Sequence, residues 1–279
     1  MRARTFLQTK FIIGALCVGS IVMMALAGQF LTSHDPEEQN LIASLQPPFD
    51  FAEGYIFGTD QLGRDIFARM VSGARVSLMI AASVVVISGV VGVLVGTTSG
   101  FLGGWRDVVL QKVVETFWAF PPILLAIAIV SLFGQNLPNL IIALTVQRWI
   151  PYARLTRAQA LALRSRDFVL ASMIMGGGTV WILRRHIIPN VVASAVVVAT
   201  FSMATAIIAE ASLSFLGLGV PPGTATWGGM LADGRSYITR AWWLAVFPGL
   251  GIFITVIGLN LLGDWLRDLF DPKADLNLV

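Results

Sequence analysis

Two charged residues, Arg148 and Glu210, stand inside long apolar runs of this chain. A charge at bilayer depth costs about 2.5–3.5 kcal/mol on insertion scales, so Glu210 is expected to face protein or water. Two readings of it stay open: with Ser212 it lines a pathway, or it is a buried acid held by a neighbouring subunit or by backbone N–H groups. Arg148 is expected to snorkel to the inner interface. The other reactive side chains are few and scattered: one cysteine, Cys17, and two histidines, His34 and His186. That set makes no dense metal cluster, and Cys17 alone makes no internal disulfide. No Ser/His/Asp set has useful spacing, so an enzyme is not expected. A G-x-x-x-x-G-K-[ST] phosphate cradle is also missing, since the only lysines are Lys10, Lys112 and Lys273. The chemistry to be explained is passage and docking.

The elements that must position these residues are membrane spans. The chain has 279 residues, 56% hydrophobic and 13% charged, and its mean hydropathy is +0.78. Soluble domains carry about 25% charged residues, so this one has too little polar surface to stay dissolved. Its net charge of +3 gives no ground for nucleic-acid binding. A span needs roughly 20 apolar residues. Six runs qualify: Phe11 to Leu31, Val76 to Phe101, Phe117 to Gly134, Leu137 to Tyr152, Ile187 to Leu216 and Trp243 to Leu262. The expected fold is therefore all-α and integral to the membrane.

Arginine and lysine sort the loops. With the N-terminus in the cytoplasm, the inner side holds Arg2, Arg4, Lys10, Arg106, Lys112, Arg148, Arg154, Arg157, Arg164, Arg166, Arg184, Arg185, Arg267 and Lys273. The outer side holds Arg64, Arg69, Arg75, Arg235 and Arg240, after an acidic start at Asp35, Glu37, Glu38, Asp50 and Glu53. Basic loops resist translocation, so both termini are placed inside. Ala25-Leu26-Ala27 has the small-x-small pattern of a cleavage site, but the apolar run continues to Leu31, and a retained anchor suits the topology. The division expected is an anchor helix and outer loop over 1–75, then a transmembrane domain over 76–279. Gly89, Gly92, Gly96, Pro121-Pro122, Pro248, Gly249 and Gly251 lie within the spans. They mark either close helix packing or an unwound hinge.

The inner loop over 154–189 is long, basic and structured in pattern. Leu155, Ala158, Leu161 and Ala162 form one stripe at helical period. A break follows at Arg164-Ser165-Arg166-Asp167. Phe168, Leu170, Ala171, Ile174 and Met175 then form a second apolar face. Gly176-Gly177-Gly178 ends it, since consecutive glycines rarely continue a helix. Pro189 suits the first turn of the next span. The pattern predicts a short helix projecting from a Gly turn. It is either a knob for a partner's cleft or an amphipathic helix on the lipid.

Outside the membrane, FGTDQLGRDIFARMVSGARVSL (Phe57 to Leu78) precedes the second span. Thr59 and Asp60 suit a helix N-cap. Arg64, Asp65 and Arg69 can pair on one helical face. The segment reads as a folded outer cap or as a contact for a binding protein.

Leu170-Ala171-Ser172, three residues, Gly176, nine residues, then His186-Ile187-Ile188-Pro189 resembles the EAA loop of importer-type ABC permeases. Here Leu170 replaces the family's acid, Ser172 its second Ala, His186 its Ile and Ile188 its Leu. The outer segment resembles the G-T-D-x-x-G-R-D stretch of the C-type permeases of dipeptide, oligopeptide and nickel importers. Ala209 to Leu231, Trp242 to Pro272 and Phe120-Pro121-Pro122 resemble the same subfamily. Trp265 departs from it, standing where a small residue is expected. The resemblance covers about 1–279. It implies an inner-membrane permease subunit carrying half of a pathway for di- or oligopeptides. It also implies a second, B-type permease, two ABC ATPase subunits that bind ATP and Mg, and an extracytoplasmic binding protein. No cofactor or metal is expected in this chain. Arg164, Arg166, Asp167, Phe168, Leu170, Ala171, Ser172, Met175, Gly176, Gly177 and Pro189 are the expected ATPase-coupling residues. The same scaffold also serves nickel, glutathione and other small solutes. An ion-coupled secondary transporter is a remote rival, because Glu210 alone makes a thin relay.

Overall fold

The computed structural model describes residues 2–49, 54–221 and 223–270. Asp50, Glu53, Pro222, Pro272 and Lys273, and the side chains of Arg2 and Arg4, lie outside the described residues. The chain is built of helices: α1 Arg2–Ala27, α2 Ile66–Leu102, α3 Gly104–Trp118, α4 Pro122–Phe133, α5 Leu137–Arg164, α6 Asp167–Ile174, α7 Thr179–Ile182, α8 Ile188–Phe215, α9 Trp227–Gly234 and α10 Trp243–Phe270. Four stretches are long and apolar enough to cross a bilayer: Gln8–Ala27, Ile66–Leu102, Thr179–Phe215 and Trp243–Phe270. The pair α3 and α4 makes a fifth if read as one broken span.

Two of the six expected runs take a different form. The third is not one helix, because α3 and α4 meet at an 81° bend. Pro121-Pro122 causes it: a proline has no N–H to donate, and the residue before one is pushed out of helical geometry. Pro121 accordingly has ψ 127°. The amide of Gln147 donates to the carbonyls freed there, Phe117 at 2.6 Å and Phe120 at 2.9 Å. The fourth run is the N-terminal part of α5, whose 28 residues also carry Arg148, Arg154, Arg157 and Arg164. Length suffices for a span, but apolarity does not. Pro151 lies inside this helix.

Helices α2 and α5 pack along a seam of small residues. Gly92, Gly96 and Gly100 put bare backbone against α5. A Cβ at Gly92 would lie 2.5 Å from the Tyr152 Cβ, and one at Gly100 would lie 2.5 Å from the Arg157 carbonyl oxygen. At these positions the packing reading of the glycines holds, whereas Pro121-Pro122 is a true break. The seam also corrects the stripe expected on α5. Tyr152, Ala153, Thr156 and Ala160 are its buried residues, while Ala158, Leu161 and Ala162 are exposed. The seam selects the face that meets glycines, not the face with the most carbon.

Three apolar clusters hold the bundle. Ile80, Val84, Val130, Leu140, Ile207 and Leu259 belong to the largest. A second joins α1 to the outer half through Ile21, Ala25, Met70, Trp227 and Trp243. The third, Phe101, Ala160, Val169, Ile182, Ile187 and Val191, anchors the inner loop. Trp265 fills its place by packing on Phe11 of α1, ring centroids 4.6 Å apart.

Candidate functional site

The inner loop folds as a helical tip on a buried base. After α5 ends at Arg164, α6 runs from Asp167 to Ile174. Asp167 in its first turn suits the positive end of the helix dipole. Val169 is fully buried in the inner cluster, and Ser172 is 5% exposed. The Ser172 hydroxyl donates to the Phe168 carbonyl at 2.8 Å and lies 3.1 Å from His186 Nε2. The His186 ring also stands 5.7 Å from Phe168 and 5.1 Å from Trp181, centroid to centroid. Gly176 has φ +84°, a conformation that L side chains rarely adopt. It lets Gly176 N–H reach Met173 O and Gly177 N–H reach Ser172 O, so the helix closes and the chain turns back.

The opposite face of α6 is apolar and open. Ile174 is 87% exposed and Met175 79%, and Phe168, Leu170 and Ala171 are exposed beside them. Arg164, Arg166 and Asp167 are exposed around this face, and no ion pair among the described residues includes them. The sequence list lacked Val180 and Trp181, also exposed, which line a groove of ≈ 660 Å³ with Arg184 and Arg185. A bulky aromatic three residues after the Gly run was the available signal.

Pro189 stands in the first turn of α8, as expected, but the helical path begins earlier: α7 starts at Thr179 and a π-turn, Leu183–Ile187, leads into α8. A proline ring clashes with the carbonyl four residues back, and widening the turn relieves this. Pro189 is exposed in the first turn of α8 and stands apart from the α6 tip.

Glu210 and Ser212 are not brought together. Glu210 is 1% exposed and accepts from the Ser214 hydroxyl at 2.7 Å, while its Oε2 has no partner among the described residues. Ser212 donates to Ile208 O on another face of α8. Arg148 is held by Thr205 of α8. Its Nη1 donates to the Thr205 hydroxyl at 2.7 Å and its Nη2 to the Thr205 carbonyl at 2.9 Å.

The segment before α2 is a folded cap with its own charge network. The N-cap of α2 is Asp65, which accepts from Phe67 N–H at 2.8 Å, and not Thr59 or Asp60. Asp60 instead closes a turn, accepting from Leu62 and Arg64 N–H and from Arg64 Nε at 2.6 Å. Arg64 and Arg69 both reach Asp60 and Asp233, whereas Asp65 pairs with His34 at 3.0 Å. The expected pairing of Asp65 with the arginines on one face is therefore not made. Burial pushes the Asp233 carboxyl above its usual range, against the pull of Arg69 and Arg64. Trp243 Nε1 donates to Thr59 O at 3.1 Å and ties the cap to α10.

Residues 88–276 match the family described as binding-protein-dependent transport system inner membrane component. The chain belongs to that family. Residues 4–48 match the N-terminal transmembrane domain of oligopeptide transport permease C. The di/tripeptide transport system permease protein DppC of Pseudomonas aeruginosa (strain UCBPP-PA14) is 42% identical over 93% of this chain and 87% of its own. The oligopeptide transport system permease protein OppC of Bacillus subtilis (strain 168) is 40% identical over 94% of this chain and 85% of its own. A chain of the MetNI methionine ABC transporter, solved in inward-facing conformations, shares the fold at TM-score 0.54 and 20% identity, over 73% of this chain and 97% of that one. This permease is thus a multi-pass inner-membrane protein of the ABC peptide-importer family, whose members are transport subunits and work with other subunits.

Proposed function

We propose that this permease is the C-type subunit of an ATP-driven importer of di- or oligopeptides, and that α6 is its coupling helix. The observation that carries this is the asymmetry of α6: Val169 and Ser172 are buried, while Leu170, Ile174 and Met175 are presented without a partner. An apolar surface on a helix fixed to the bundle is a docking face. Phe168, Leu170, Ala171 and Met175 supply apolar contact there, and Arg164, Arg166 and Asp167 supply rim charge. Ser172, Gly176 and Gly177 hold the tip, and Pro189 sets the start of the span behind it. The partners are two ABC ATPases, which hold ATP and Mg, a B-type permease and an extracytoplasmic binding protein. Both termini are inside. The broken pair α3–α4 and the outer part of α5 complete six spans. Residues 1–75 anchor and cap the domain over 76–279. Glu210 reads as a buried acid of the outer bundle, since its surroundings are closed.

ATPase closure acts on α6 and tilts α5 and α8, giving alternating access. Only a contact that differs between states drives such a shift. The test is peptide-stimulated ATPase activity of the assembled complex carrying Leu170→Asp or Gly176→Pro. Stimulation is expected to be lost with the permease still folded. Unchanged stimulation and assembly would reject this placement of the coupling site.

A further inference from the structure

A positive charge is held halfway along the bundle without an acid. Arg148 lies about eleven residues from the start of α5, roughly 16 Å along the axis. Thr205 lies about ten residues from the end of α8, roughly 15 Å. Both depths are near the middle of a bilayer core of about 30 Å. None of the ion pairs among the described residues includes Arg148. Its two hydrogen bonds go to the Thr205 hydroxyl and carbonyl, both neutral. A guanidinium has five donors in a fork shaped for a carboxylate, so most of that capacity is unused.

The charge is not on a smooth wall. Arg148 and Gln147 are the polar residues of a cavity of ≈ 290 Å³ between α4, α5 and α8, whose walls include Ile123, Ala126, Leu144 and Leu213. Apolar walls lower the local dielectric and strengthen any anion contact made inside. The volume suits one peptide residue rather than a whole peptide. A charge turned to hydrocarbon would be costly, so this face is turned to water or to another subunit.

We propose that Arg148 is a mid-membrane subsite that takes a carboxylate of the peptide in transit. This rests on the reading of the chain as a peptide-importer permease. Thr205 supplies the other half of the device. It engages Arg148 between cargoes, so the carboxylate exchanges with a neutral partner and leaves easily. A site for passage has to bind and release, and a single fork with a competing tether does both.

The experiment uses the full transporter in proteoliposomes. Binding protein is supplied in excess, preloaded with a labelled tripeptide that has a free C-terminal carboxylate or with the same tripeptide as its C-terminal amide. Lumenal uptake per ATP hydrolysed is measured for wild type, Arg148→Gln and Arg148→Lys. Arg148→Gln is expected to lower uptake of the free acid about tenfold relative to the amide, the scale of one charge-assisted hydrogen bond. Arg148→Lys keeps the charge but loses the fork, and lowers the same ratio less. If Arg148→Gln does not assemble, the ratio is read from Arg148→Lys alone, where no change overturns the subsite. Equal loss for both cargoes also overturns it and leaves Arg148 as a structural contact to a neighbouring subunit. A fall in the ratio only when an internal Glu of the cargo is replaced by Gln assigns the site to side-chain carboxylates. Wild-type complex that takes up neither tripeptide sinks the importer reading, and the subsite with it.

Discussion

The two ends of this permease treat their exposed chemistry in opposite ways. At the end that carries the segment before α2, Asp60, Arg64, Arg69 and Asp233 satisfy one another, and Trp243 ties the turn at Thr59 to α10. At the end that carries α6, Phe168, Leu170, Ile174 and Met175 stand open, with Arg164, Arg166 and Asp167 around them. The cap's charges are paired within the chain, and the apolar face of the α6 tip is left uncovered by it. Charges buried with their partners give a rigid structure. Apolar side chains left on a rigid base give an interface. The same molecule therefore shows where it is closed and where it must be joined.

That contrast can be broken first at the closed end. Asp60→Asn removes the acid shared by two buried arginines and is expected to cost about 3–5 kcal/mol. Thermal unfolding of the purified permease measures it, and cleavage by trypsin at Arg64 should become faster. An unchanged melting temperature would mean that the cap does not depend on its internal pairs. At the open end, Ile174→Asp should leave folding alone, because the side chain is 87% exposed. Peptide uptake by the assembled complex is expected to fall about 30-fold, the scale of a lost interface hot spot of about 2 kcal/mol. Intact uptake by the folded, assembled variant would mean that this open face is not an interface. The smallest effect is expected at Asp233. Its folded carboxyl titrates above the unfolded one, so ionising it costs the folded state, and wild-type stability falls as pH rises through the window between the two values. Asp233→Asn removes that cost. The stability of the variant relative to wild type should rise between acid and neutral pH, by less than about 1 kcal/mol because the side chain is 47% exposed. Melting curves over that range measure it.

The sequence was most readable where one local rule decides the structure. The break at Arg164 to Asp167, the short helix after it and the glycine stop are fixed by breaker residues and period, and they stand where those rules put them. Phe168, Leu170, Ile174 and Met175 share an apolar face that the pattern also gave. Partners distant in sequence were less readable. Ala158 and Leu161 looked like the inward stripe of α5, but glycines some sixty residues earlier chose Tyr152 and Thr156 instead. Asp65, and not Thr59 or Asp60, caps α2, because Asp60 is held by Arg64. Arg148 reads as free to reach the interface, and its contact with Thr205 exists only where α5 meets α8. Pro189 stands in the first turn of α8 as a proline there should, but the π-turn before it carries no signal in the sequence period.

Pro151 gives α5 a missing rung. Without an N–H it leaves the Gln147 carbonyl unpaired within the helix, and a helix bends where its ladder is interrupted. The same Gln147 grips the elbow between α3 and α4 through its side chain. A push on the segment near Arg164 would meet that missing rung a single turn from Arg148. A bend there would reshape the chamber that Arg148 looks into.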